Sequence, residues 1–150
     1  MDLRHGTRTI LGPLAFALFV AAGCTTQAPS APIQALDSRA LDIEARKDDV
    51  LRQLSECESG GTGESDRPIY GGRGAYVGRF QFAPRTVIGW IRERDGRDLS
   101  YREAVALAHD HQQAASLAKY AIFERDAVSH WPLCNRKLGL DQQVAAIKAM

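Results

Sequence analysis

The apolar positions of the chain follow a helical period through much of its length. Between Ser38 and Cys57 they recur about every 3.6 residues, which is typical of an amphipathic helix. Gly60 and Gly61 end this pattern. The spacing therefore predicts a helix over residues 38–57.

Local start and end signals predict further helices in the second half of the chain. A proline in the first turn marks one start. Two capping boxes, in which Ser or Asp is followed three residues later by Glu or Gln, mark two more, and an amphipathic segment closes the chain. These signals are Pro84 with a helix to about Arg94, Ser100 with Glu103, Asp110 with Gln113, and residues 141–150.

A glycine-rich segment, residues 59–79, separates the first predicted helix from the others. Its Gly, Ser, Pro and charged residues predict a long irregular loop with at most a small β-hairpin. Loops of this length in compact domains usually serve a binding or catalytic site. The predicted fold class is therefore mainly α, a small helical domain with a glycine-rich loop, and Trp90 and Trp131 are assigned to its core.

The N-terminus has the pattern of an export signal. Arg4 and Arg8 precede an apolar stretch of thirteen residues, Ile10 to Ala22, which is too short for a permanent membrane helix. The stretch ends in Val20-Ala-Ala-Gly-Cys24, which resembles the lipobox of bacterial lipoproteins, with Ala21 where that family usually has Leu. The resemblance implies removal of residues 1–23 and diacylation of Cys24. The alternative is a plain signal peptide followed by a chance cysteine.

The domain organisation follows from that signal. Residues 24–36, rich in Thr, Pro and Ala, are expected to be a flexible tether, followed by one domain over 37–140 and a helical segment over 141–150. The predicted location is lipid-anchored and extracytoplasmic. Thr25 stands where inner-membrane lipoproteins typically have Asp, so the resemblance favours the outer membrane, facing the periplasm. The surface of a single-membrane bacterium is the alternative.

Composition and charge mainly argue against certain classes of protein and site. The 150 residues leave room for one compact domain, which we expect to be a monomer. Nineteen Lys and Arg against eighteen Asp and Glu, without a basic stripe, argue against a nucleic-acid partner. His109 and His111 lack the spacing of metal ligands and are expected on the solvated surface. We therefore predict no metal and no cofactor.

The three cysteines leave one pair after lipidation. With Cys24 consumed by lipid, Cys57 and Cys134 face an oxidising compartment, where a disulfide is the default. Two separate buried thiols are the alternative. Glu58, next to Cys57 and at the point where the first helix meets the glycine-rich loop, is the candidate chemical group, because a disulfide and a helix would hold its carboxyl rigidly.

Three separated blocks carry a resemblance to a known family. They are Cys57-Glu-Ser-Gly-Gly61, then Gly78-Arg-Phe-Gln-Phe82 with Thr86, and His130-Trp-Pro-Leu-Cys134. In type and order they resemble the catalytic domain of the resuscitation-promoting factors, a lysozyme-like, lytic-transglycosylase-like family that acts on bacterial cell walls. The resemblance covers about residues 48–140 and implies that 37–140 is a lysozyme-like catalytic domain.

The resemblance also implies roles for individual residues. Glu58 matches the catalytic acid and the cysteine pair matches the family's disulfide, while Gln81 and Thr86 fall on groove positions. We add Tyr76 and Gly78 as candidate sugar-binding residues. The chain departs from the family at Arg79, which replaces a glycine, at Val87, which replaces a tryptophan, and in a longer, more charged loop between the first two blocks.

The implied reaction is cleavage of the β-1,4 bond between N-acetylmuramic acid and N-acetylglucosamine in peptidoglycan glycan strands. Its acid must be protonated, and partial burial against Phe80, Phe82 or Tyr76 would raise its pKa. Most glycosidases use two carboxylates, and the candidates for the second are Glu64 and Asp66. With one acid the reaction is intramolecular and leaves a 1,6-anhydro product, while hydrolysis stays open.

A hypothesis of another class is a peptidoglycan-binding or assembly lipoprotein that keeps the sugar groove without turnover. The altered loop and Arg79 favour it. Glu58 argues against it, because a protein that only binds glycan needs no acid at that position.

Overall fold

The structure is a computed structural model that describes residues 31–150, with side chains from Leu36 onward. This part of the chain is mainly helical, with one small antiparallel sheet and one disulfide, as the sequence predicts. The predicted signal peptide and Cys24 lie outside it. The helices are α1 (Ala31–Ser59), α2 (Pro84–Asp95), α3 (Tyr101–His109), α4 (His111–Phe123), α5 (Pro132–Leu138) and α6 (Leu140–Lys148).

The first helix begins earlier than its apolar period predicts. It takes in residues 31–36, which the sequence assigned to the tether. Pro32 is compatible with this start because the first turn needs no amide hydrogen bond at that position. Residues 36–41 are all exposed, Leu36 by 67% and Leu41 by 71%, so this stretch of α1 lacks the buried face that a periodicity argument detects. At the other end, Gly60 adopts a left-handed φ of 75° and its N–H donates to the Glu56 carbonyl at 2.8 Å.

The core forms where the second half of α1 packs against α4, α5 and α6, while α2 and α3 pack together against α4. Burial of these apolar side chains is the main term that stabilises the domain. Its largest fully buried members include Leu54, Phe80, Ile91, Leu117, Ile122 and Leu140. Trp131 is 3% exposed, as predicted, whereas Trp90 is only partly buried beside the core.

The two predicted capping residues, Ser100 and Asp110, are confirmed, with one difference in detail. Ser100 and Glu103 form the full reciprocal capping box of α3. Asp110 caps α4 by accepting from the Gln113 backbone N–H at 2.9 Å. In a full capping box the Gln113 side chain would accept from the Asp110 backbone N–H, but that N–H donates to the Ala106 carbonyl at the end of α3. The Gln113 side chain instead donates to the Asp110 carboxylate.

The glycine-rich segment contains the minimal hairpin that the sequence allowed. Strand β1 (Tyr70–Gly71) pairs antiparallel with β2 (Tyr76–Val77), so that Tyr70 faces Val77. Val77 then pairs with Phe82 through two backbone hydrogen bonds of 2.9 Å each. This second pairing closes a tight turn over residues 78–81, which we call the Gln81 turn.

No helix among residues 31–150 combines the length and apolar character that crossing a bilayer requires.

Candidate active site

The Glu58 carboxyl is partly buried at the end of α1 and makes no hydrogen bond or ion pair with any described residue. Burial raises its pKa above the ordinary 4.5, because the charged form loses hydration. Every other described carboxyl group with a resolved shift has a lowered pKa, and in each a hydrogen bond is the main cause; these are Glu44, Asp49, Asp95, Glu103 and Asp110. Glu58 is thus distinguished by its environment.

A four-residue segment, Trp131–Cys134, holds the end of α1 and the Gln81 turn together. Cys134 forms the predicted disulfide with Cys57, and the Cα atoms of the two residues are 5.9 Å apart. The buried Trp131 indole N–H donates to the Phe80 carbonyl at 2.7 Å. Cys57, which precedes Glu58, and Phe80, which precedes Gln81, are therefore both bonded to this short segment. Through these two bonds the three sequence blocks meet in the structure.

The Gln81 side chain is engaged with the hairpin. Its backbone has a left-handed φ of 49°, an uncommon conformation for a residue with a Cβ. Its side-chain amide nitrogen, Nε2, donates to the Gly78 carbonyl at 2.7 Å. Its amide oxygen lies so close to Gly71 that a Cβ there would approach it to 1.8 Å. Gln81 therefore braces the hairpin, and its contact with a sugar stays a prediction.

Gly78 is the first residue of the same turn and is buried. Its φ is 77°, and a Cβ at this position would lie 1.8 Å from the Ala108 carbonyl oxygen at the end of α3. Glycine is thus required for packing. The structure gives Gly78 this role, while sugar binding by its backbone stays a prediction.

We expect Gly78→Ala to lower the free energy of unfolding by about 2–4 kcal/mol, from left-handed strain plus overpacking. Gly96→Ala is the matched control, because Gly96 has a φ of 67° with no atom within 4 Å of the added Cβ. It should cost only about 1 kcal/mol. Urea unfolding measures both, and equal costs would contradict the close packing of Gly78 on Ala108.

The other two predicted binding residues differ in exposure. Tyr76 is 47% exposed and its ring covers Gly72 in the hairpin, so one part of the ring is open for stacking on a ligand. Thr86 is partly buried in the first turn of α2 and makes no side-chain hydrogen bond with a described residue. Glu58 makes no hydrogen bond with either of them.

His109 and His111 are partly buried, which corrects the expectation from the sequence that both are solvated surface residues. The His109 ring packs edge-on against Tyr70 at 5.0 Å, and the His111 ring stacks on Phe80 at 6.0 Å. One nitrogen of each is buried without a hydrogen-bond partner in the described chain, and burial lowers the pKa of His109. Both are covered because the glycine-rich loop passes beside the junction of α3 and α4.

Glu64, a candidate second carboxylate, accepts a backbone hydrogen bond at the start of α4. Its Oε1 accepts from the His111 backbone N–H at 3.1 Å, at the start of α4, where a carboxylate is favourable. Asp66 is exposed on the same loop. The described residues contain no group of three His, Cys, Asp or Glu side chains arranged to hold a metal ion.

Arg79 is a residue whose role the sequence did not reveal. Its Nε donates to the Gly63 carbonyl at 3.0 Å and its Nη2 to the Glu64 carbonyl at 3.4 Å. The arginine that departs from the family pattern therefore connects the Gln81 turn to the loop that follows Glu58. No local sequence signal marks this contact, because its partners are backbone carbonyls about fifteen residues earlier.

A cavity of about 270 Å³ lies between α1, the loop and α4, and includes Ser55, Thr62 and His111 in its lining. Glu58 follows Ser55 by three residues, so it lies just under one turn further along the same side of α1. A larger concavity of about 370 Å³ lies between α1 and α6 and includes Ala45 and Ile147. It is lined by earlier turns of α1 than those that carry Glu58.

The raised pKa of Glu58 predicts a pH-dependent stability effect. A carboxyl whose pKa is higher in the folded state favours folding below its unfolded pKa, and this contribution is lost as pH rises through the folded pKa. Glu58→Gln should therefore melt at a higher temperature than the wild type at neutral pH. The difference should shrink toward acid pH, below the ordinary 4.5. Melting curves at several pH values test this, and a pH-independent difference would contradict it.

Comparisons of the chain with protein-family models, with curated proteins and with solved structures find no match.

Proposed function

We propose that this chain is a peptidoglycan-cleaving enzyme with a lysozyme-like fold, in which Glu58 is the catalytic acid. The observation that carries the proposal is the Glu58 carboxyl, partly buried without a partner and with its pKa raised by burial. A general acid needs such a shift, because a glycosidic oxygen is a poor leaving group until it is protonated. The resemblance of the three sequence blocks supplies the substrate class.

In the proposed reaction, protonated Glu58 donates its proton to the oxygen between N-acetylmuramic acid and N-acetylglucosamine, and the glycosidic bond breaks. The Glu58 carboxylate then accepts the proton of the muramyl 6-hydroxyl, whose oxygen bonds to the anomeric carbon. The product is a 1,6-anhydro sugar and no water is consumed. The contact of Glu64 with the start of α4 supports this one-acid route, because that carboxylate is occupied.

The proposed setting is a lipid-anchored monomer that faces the periplasm from the outer membrane. Cys24 is its proposed anchor. The disulfide between Cys57 and Cys134 supports an extracytoplasmic location, since such bonds persist in oxidising compartments. In this setting Tyr76, Thr86 and Gln81 are the proposed sugar contacts.

The test is mass spectrometry of the products that the oxidised protein releases from purified peptidoglycan. Anhydro-muropeptides would support the transglycosylase reaction, and reducing-end products would indicate hydrolysis and a second carboxylate such as Asp66. Absence of both products, with retained binding to peptidoglycan, would refute the enzyme proposal. It would favour the non-catalytic wall-binding lipoprotein instead.

A further inference from the structure

The segment after Glu58 has little intrinsic order. Gly60 and Gly63 both adopt left-handed φ values, of 75° and 74°, and Gly61 lies between them. Thr62 and residues 64–68 are exposed, and Gly61 and Gly63 have no side chain, so this segment buries little apolar surface. Glycines also lose more conformational entropy on folding than other residues. The loop over residues 61–64 therefore depends on specific contacts to keep one position beside the candidate acid.

Arg79 supplies the contact between this loop and the Gln81 turn. Its two hydrogen bonds reach the Gly63 and Glu64 carbonyls, and its Nη1 would lie 2.8 Å from a Cβ placed on Gly61. The planar guanidinium donates in fixed directions, so it orients the backbone that it binds. Arg79 itself stands between buried Gly78 and buried Phe80 on a turn closed by backbone pairing.

A second contact holds the same end of the loop from another side. The Glu64 side chain accepts from the start of α4, while its carbonyl accepts from Arg79. The loop is thus held on one side by α4 and on the other by the Gln81 turn. The Arg79 contact joins the loop that follows Glu58 to the turn that carries Gln81.

We propose that Arg79 is a positioning residue for glycan cleavage, which fixes the loop 61–64 relative to Glu58 and Gln81 so that a glycan strand meets a preformed site. The inference rests on the proposed function. Arg79 acts through the loop backbone and touches neither the reacting bond nor its proton.

The test compares Arg79→Ala with Arg79→Lys on soluble glycan strands from peptidoglycan. Loss of the charge-assisted hydrogen bonds should raise KM about tenfold in Arg79→Ala and leave kcat within about twofold. Lysine keeps one donor toward a carbonyl, so KM should rise only about threefold. Arg102→Ala is the control, because Arg102 is exposed at the far end of α3 from Ala108 and makes no side-chain hydrogen bond with a described residue.

Hydrogen exchange of the oxidised full-length protein provides a readout independent of activity. Amides of residues 61–67 should exchange faster in Arg79→Ala than in the wild type, while those of α4 stay protected. Unchanged exchange or an unchanged KM would overturn the role of Arg79 and leave cleavage by the wild type intact. Faster loop exchange in a protein whose wild type releases no product would show that the proposed function has failed, and the positioning role with it.

Discussion

Glu58→Gln should lower the release of soluble products from peptidoglycan by about 10²–10⁴-fold, the range that general acids contribute. Glutamine keeps the size of the side chain and its place at the end of α1, but its amide N–H groups are too weakly acidic to transfer a proton to the glycosidic oxygen. Product release by mass spectrometry measures the loss. Because burial raises the pKa of Glu58, the wild-type rate should persist above the pH at which an ordinary Glu ionises and fall as pH rises further.

Glu56→Gln is the matched control for this experiment. Glu56 lies two residues earlier on the same helix, is exposed and pairs with Arg52 at 3.1 Å, so its loss removes one carboxylate without touching the proposed site. Its cleavage rate should equal that of the wild type. Normal product release by Glu58→Gln would refute the assignment of the acid and direct attention to Asp66.

Removal of the disulfide, by Cys57→Ala with Cys134→Ala, should lower the free energy of unfolding by about 4 kcal/mol. The bond joins residues 77 positions apart, so it removes many conformations from the unfolded chain. Cleavage should fall as well, because the bond holds α1 beside Glu58 to the segment that also binds the Gln81 turn. Urea unfolding and product release measure the two effects.

A reducing agent gives the internal control for the disulfide. It should destabilise the wild type by a similar amount and leave the double alanine variant unchanged. If the double variant unfolds at the urea concentration of the oxidised wild type, the bond contributes no net stability and the prediction is wrong.

Much of the helical framework could be predicted because its signals are local. Apolar periodicity located the second half of α1, and Ser100 with Glu103 marked a helix start by side-chain chemistry alone. The disulfide could be predicted for a different reason, since assigning Cys24 to lipid left a single pair. The early start of α1 could not, because residues 36–41, the earliest whose side chains the structure describes, are exposed and carry no buried apolar stripe.

The contacts that shape the candidate site could not be predicted, because they join distant residues through backbone atoms or ring packing. Arg79 binds two carbonyls of the loop, and His111 stacks on Phe80. Neither leaves a spacing pattern in the sequence. The resemblance to the family assigned Gln81 to the sugar groove. Its left-handed backbone and its hydrogen bond to the Gly78 carbonyl are seen only in the structure.

The length of α1 has a mechanical consequence. One continuous helix of 29 residues, about 43 Å long, begins at Ala31 and ends one residue after Glu58. A helix transmits tilt and torque along its axis with little bending, so a pull applied near Ala31 turns Glu58 together with the domain that the disulfide holds to it. In the proposed reaction, the direction from which the chain is held at its N-terminal side would therefore set the angle at which Glu58 meets a glycan strand.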